Sequence, residues 1–147
     1  MPPRNKVTLL LPLTVCASAA ARDTVSDYAI KTVLEREQSQ TLLGSDIRFF
    51  FGDSRHGKPN KNFGEFRSNK KTNAFNKSDQ EACEWAFLSA LVSLRDRARQ
   101  EGGNAVINIK SNYRDNETSS SDRFVCGAGA VMAGVALKGT VVTLKKP

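Results

Sequence analysis

Histidine, cysteine and long apolar runs are all scarce in this sequence. One histidine, His56, and three cysteines are spread over 147 residues. A transition-metal site needs several imidazole or thiolate ligands, and no short motif here supplies them. Hydrolysis by a serine–histidine pair is disfavoured on the same ground, because His56 would be the only base and nothing marks a nucleophile beside it. No C-x-x-C motif is present to poise a redox-active thiol. The carboxylates are scattered and nominate no acid–base pair. The segment Gly129-Ala-Val-Met-Ala-Gly134 has the glycine spacing of a phosphate-binding loop, but such a loop needs Lys and then Ser or Thr after its second glycine. Val135 and Ala136 stand there instead, so no nucleotide is expected. No apolar run approaches the ~20 residues that cross a bilayer as a helix. Neither catalytic residues, a bound metal nor a cofactor are expected.

The N-terminal residues follow a different pattern. Arg4 and Lys6 precede a short apolar core over residues 7–15, and Ala17-Ser-Ala19 and Ala19-Ala-Ala21 offer small-residue cleavage sites. Residues 1–21 are therefore predicted to be a signal peptide, and 22–147 a single exported, periplasmic domain. A short buried helix is the alternative for 1–21. Cys16 follows Val15 rather than a small residue, which argues against lipidation. Removal of the leader leaves Cys83 and Cys126, and an even pair in an exported chain reads as a disulfide. Two separate buried thiols are the alternative. The formal charge of +7 favours acidic partners.

The domain is organised around residues 78–113. Ser78 and Glu81 have the spacing of a capping box. Cys83, Ala86, Phe87, Ala90, Leu91, Leu94 and Ala98 then recur at three- and four-residue intervals as one apolar stripe. Arg95, Arg97 and Arg99 suit the negative end of the helix dipole, and Gly102-Gly103 stops the helix. Ala105, Ile107 and Ile109 alternate with Asn104, Asn108 and Lys110, as in a half-buried strand. Upstream, Ser26 is expected to cap a short helix with Ile30, Val33 and Leu34 on one face. Residues 47–51 read as a strand covered on both faces. Downstream, 123–129 and 131–137 read as strands, Lys138-Gly139 as a bulge or tight turn, and 140–144 as the last strand. The expected fold is α+β: a small, mostly antiparallel sheet of three to five strands with a long helix packed on one face.

Residues 53–77 are rich in Gly, Asn, Pro, Lys and Ser and read as a long loop, with a short strand possible over 63–68. Between Lys58 and Lys77, the cations Lys58, Lys61, Arg67, Lys70, Lys71 and Lys77 face only Glu65 in charge, and Phe63, Phe66 and Phe75 are interleaved with them. These cations are the candidate anion- or partner-binding residues. Basic groups with aromatics fit nucleic acid, but export disfavours that partner and leaves anionic lipid, lipopolysaccharide or an acidic protein surface. The alternative is a solvated loop pinned to the core by its phenylalanines. The oligomeric state is not legible.

Phe63-Gly-Glu-Phe, Asn69-Lys-Lys-Thr-Asn-Ala-Phe75, Ala82-Cys-Glu-Trp-Ala-Phe-Leu-Ser-Ala90, Gly102-Gly-Asn-Ala-Val and Ala133-Gly-Val-Ala-Leu-Lys-Gly139 together resemble a family of small exported proteobacterial proteins often labelled excinuclease ATPase subunits. More distantly, Gly103-Asn-Ala-Val106 is similar to a piece of the YbjQ-like and RcsF-like proteins. That resemblance implies an α+β fold, disulfides on the RcsF-like side and heavy-metal binding on the YbjQ-like side. The expected function is a periplasmic, non-enzymatic binding or envelope-interaction protein, with a YbjQ-like metal-binding module as the alternative.

Overall fold

The computed structural model describes residues 22–146, together with 2–3, 8–10 and 12. Most of the predicted leader, Cys16 included, lies outside the described residues. The elements run β1 (Thr24–Ala29), α1 (Ile30–Leu34), α2 (Glu37–Leu43), β2 (Arg48–Phe51), β3 (Pro59–Asn73), α3 (Asp79–Glu101), β4 (Ala105–Tyr113), β5 (Asn116–Thr118), β6 (Arg123–Ala128) and β7 (Met132–Leu144).

Helix α3 forms as its sequence dictates. The Ser78 hydroxyl accepts from the Glu81 amide at 3.1 Å, and Asp79 and Glu81 place negative charge in the first turn. Its seven-residue apolar stripe is buried throughout. Gly102 ends the helix in the left-handed conformation (φ 84°), and the Gly103 amide bonds back to the Ala98 carbonyl at 2.8 Å.

Two contacts join α3 to β6, and they share a register. Cys83 is disulfide-bonded to Cys126, and Phe87 stacks on Phe124 with ring centroids 4.1 Å apart and 8° between planes. Four residues of helix advance about 6 Å and two residues of strand advance about 6.6 Å, so the two pairs match as the elements run antiparallel. Closing the loop between the cysteines stabilises the fold by roughly 4 kcal/mol in the chain-entropy account.

The sheet has seven strands, so the small sheet expected from sequence is corrected to a larger one. It is antiparallel except where β2 runs parallel to β4. Its spine is β7, bordered by β3 on one side and by β4 and β6 on the other. Lys138-Gly139 makes no turn: β7 passes straight through. Ala133, Val135, Leu137 and Val141 join the core beneath α3. Glycine is needed at 139 because a β-carbon there would lie 2.6 Å from Val106 Cγ1.

Three further local expectations change. Residues 24–29 are strand β1, and Ser26 pairs with Cys126 instead of capping a helix. Ala105, Ile107 and Ile109 do not share a face. Asn108 takes φ 51° and acts as a bulge, so Ala105 and Ile107 join Val142, Leu144 and Phe50 in a second cluster, while Val106 and Ile109 face α3. The long basic loop is mostly strand β3, fifteen residues paired along the length of β7. Its only large apolar groups packed on the core are Phe63 and Phe66, so it lacks the alternation that marks a strand. The partner strand supplies the order. Lysines, asparagines and two register shifts are the features that guard an edge strand from further pairing.

Candidate functional site

Helix α3 covers one face of the sheet, and the candidate site lies across the other. Neighbouring strand residues alternate faces. Arg67, Asn69 and Lys71 pair with Lys138, Ala136 and Gly134, whereas Lys70 pairs with the core residue Val135. Arg67 and Lys71 therefore project on the uncovered face, and Lys70 belongs to the α3 side. The β4–β5 hairpin rises opposite them. Its turn is tight because Arg114 and Asp115 both take left-handed φ (51° and 61°), and three residue pairs from Ser111 to Thr118 zip its strands together.

Between β3 and this hairpin lies a groove of about 480 Å³. Gly134 and Ala136 form its small-residue floor, Arg67 and Lys71 one wall, and Tyr113 and Arg114 the other. A second hollow of about 400 Å³ continues from it past Lys71, Tyr113, Arg114 and Gly134, and is lined further on by Ala130, Val131 and Met132. A cationic hollow thus opens directly into a largely apolar one.

The Tyr113–Arg114 wall is held from behind. The Tyr113 hydroxyl donates to Asp23 Oδ1 at 3.0 Å, and Arg114 pairs with the same carboxylate while its guanidinium lies 5.3 Å from the Tyr113 ring centre. Burial, and then the Asp23 carboxylate, push the Tyr113 phenol above its ordinary pKa, so the ring stays neutral. Arg67 reaches Asp115 at 3.4 Å across the groove. Lys71 forms no ion pair among the described residues and so is available to a ligand. The hairpin is anchored by Glu117, whose carboxylate lies 2.9 Å from both Lys110 and Lys138. Hydrogen bonds from Lys138 and then Lys110 hold it down to a pKa of about 2.

Of the six sequence-predicted cations, Arg67 and Lys71 meet here by side chain, and Lys70 lines the groove from the strand. The others do not gather with them. Lys61 stacks over the Phe63 ring at 4.9 Å, and ten strand residues separate it from Lys71 by about 33 Å. Lys58 precedes β3, and Lys77 donates to the Asn73 carbonyl at 3.3 Å in the turn before α3. Sequence reasoning missed Arg114 and Tyr113, which it left in a strand end and a polar turn. The adjacent Arg114-Asp115-Asn116 could have signalled a tight hairpin presenting a cation.

Gly129 sits where β6 turns into β7 and Gly134 lies within β7, with no helix after them, unlike a phosphate loop, which opens one. For the metal alternative, no group of three or more His, Cys, Asp or Glu comes together among the described residues. His56 packs edge-on against Phe50 at 5.6 Å, with Nδ1 at 2.8 Å from the Gly57 carbonyl. No helix among the described residues is long and apolar enough to cross a membrane, and the disulfide fits an oxidising compartment outside the cytoplasm. No protein-family model, curated protein or solved structure matches the chain.

Proposed function

We propose that this is an exported, periplasmic, non-enzymatic binding protein whose groove takes an anionic amphiphile of the cell envelope. The observation that carries this reading is the junction of the two hollows. Arg67, Lys71 and Arg114 converge over a floor of Gly134 and Ala136, and the same space runs on into Ala130, Val131 and Met132. An anionic head group would accept from the guanidinium and ammonium donors, while an alkyl chain would lie along the apolar extension. The signal-peptide pattern, the resemblance to small exported proteins and the disulfide all support an envelope setting.

Titration calorimetry with a short-chain phosphatidylglycerol, kept below its micelle concentration, tests the reading. Binding by the wild type should weaken roughly tenfold or more in Arg67→Glu/Lys71→Glu, because charge-assisted hydrogen bonds contribute about 1.5–3 kcal/mol each. Thermal stability should change little, since both side chains are exposed. No binding by the wild type, or equal binding by the charge-reversed variant, would sink the assignment.

A further inference from the structure

Four of the six exposed large apolar side chains among residues 22–146 gather at one end of the sheet, Leu42 and Trp85 lying elsewhere. Phe75 is 64% exposed, Val131 61% and Met132 45%. The Ala74 amide bonds to the Val131 carbonyl at 2.7 Å, and Asn73 pairs with Met132, so the β3–α3 turn and the β6–β7 turn lie side by side. Val25, also exposed, pairs with Gly127 on the neighbouring strand.

Phe75 is held outward by its turn. Its amide donates to Asn73 Oδ1 at 2.8 Å, the Lys77 amide closes onto the Ala74 carbonyl at 3.1 Å, and Asn76 between them takes φ 59°. Phe63 and Phe66, by contrast, pack against the core. The aromatic at the tip is therefore built for exposure and is not a loose core residue.

Charge surrounds this tip. Lys70, Lys71 and Lys77 form no ion pair among the described residues. Two carboxylates open α3 beside the tip: Asp79 is neutralised by Arg22, which grips both its oxygens at 2.7 and 2.9 Å, and Glu81 forms no ion pair among the described residues. An apolar tip with three lysines against one unpaired carboxylate has the make-up of an interfacial membrane contact, in which aromatic and aliphatic groups enter the acyl boundary and cations meet anionic head groups.

We propose that this end of the sheet docks on an anionic phospholipid bilayer, with Phe75, Val131 and Met132 entering the interface and Lys70, Lys71 and Lys77 over the head groups. The inference rests on the groove reading, and gives the groove a source for its ligand: the second hollow is lined by Val131 and Met132, at the docked end.

The test separates docking from ligand capture, because Phe75 and Lys77 line neither hollow. Vesicles of phosphatidylcholine alone, or mixed with phosphatidylglycerol, are sedimented with wild type, Phe75→Ser and Lys77→Glu. The wild type should pellet with the mixed vesicles only, and added salt should release it. Each substitution should weaken that partition by roughly fivefold or more, while calorimetric binding of the monomeric short-chain lipid stays unchanged. In a Trp85→Phe background, Phe75→Trp should emit at shorter wavelength on the mixed vesicles. Wild-type partition equal on both vesicle types, partition indifferent to Phe75→Ser, or an indole whose emission does not move would overturn docking even if the monomeric lipid still binds. Loss of monomer binding with docking intact would instead overturn the groove.

Discussion

The hydroxyl of Tyr113 fills the space that a side chain on Gly127 would need: a β-carbon at 127 would lie 2.0 Å from the phenol oxygen and 2.1 Å from Cζ. The wall of the groove is thus seated directly on the backbone of β6. Gly127→Ala should displace the ring, break its bond to Asp23 and cost about 1–3 kcal/mol, the range for overpacking. Urea denaturation measures this. In a Tyr113→Ala background the same substitution should cost much less, since the clash is the coupling. Equal costs in both backgrounds would contradict the seating of Tyr113.

The Cys83–Cys126 bond gives a second expectation. Reduction, or Cys83→Ser/Cys126→Ser, should lower stability by up to about 4 kcal/mol. Denaturation midpoints with and without reductant check this, and thiol titration of the denatured, unreduced protein should find neither cysteine reactive.

Phe87 is fully buried, stacked on Phe124 and 6.0 Å from Phe51. Phe87→Ala should destabilise by about 3–5 kcal/mol. Phe87→Leu should cost distinctly less, as most of the volume remains. A loss under about 1 kcal/mol for the alanine variant would mean that this contact does not hold α3 to the sheet.

Much of the helical scaffold was legible because local chemistry and tertiary packing agree there. Ser78, the seven apolar residues and Gly102 each specify their own position. The disulfide was legible from pairing arithmetic and the expected compartment. The site was half legible. Arg67 and Lys71 stood out as cations, but their joint facing depends on β3 being a strand, and that is set by β7 rather than by β3's own residues. Alternation then separates Lys71 from Lys70, which composition alone treats as one patch. The Asn108 bulge was hidden for a related reason: both faces of β4 are apolar there, so a change of phase leaves no mark in the hydrophobic pattern.

Stability should also depend on acid pH through the hairpin anchor. Glu117 is depressed from 4.5 to about 2 in the folded protein. A depressed carboxylate contributes its full stabilisation above its unfolded value and loses it as pH falls through the folded one. The loss therefore spans about pH 4.5 down to about 2. Asp46 and Asp79, lowered chiefly by hydrogen bonds from Arg99 and Arg22, act in the same direction. Glu117→Gln should flatten the pH dependence of the urea midpoint in this window without abolishing it. An unchanged slope would show that Lys110 and Lys138 do not grip the carboxylate in solution.

The most direct test of the central claim is where an anionic amphiphile lands. Amide chemical shifts, followed as monomeric short-chain phosphatidylglycerol is titrated into the wild type, read this residue by residue. The account predicts that Arg67, Asn69, Lys71, Tyr113, Arg114, Gly134 and Ala136 move together and saturate with one affinity, followed by Val131 and Met132 as chain length grows. Lys61 and His56, at the far end of the sheet, should stay still. Shifts spread evenly over all lysines, or centred away from the Tyr113 wall, would contradict a binding groove on this face.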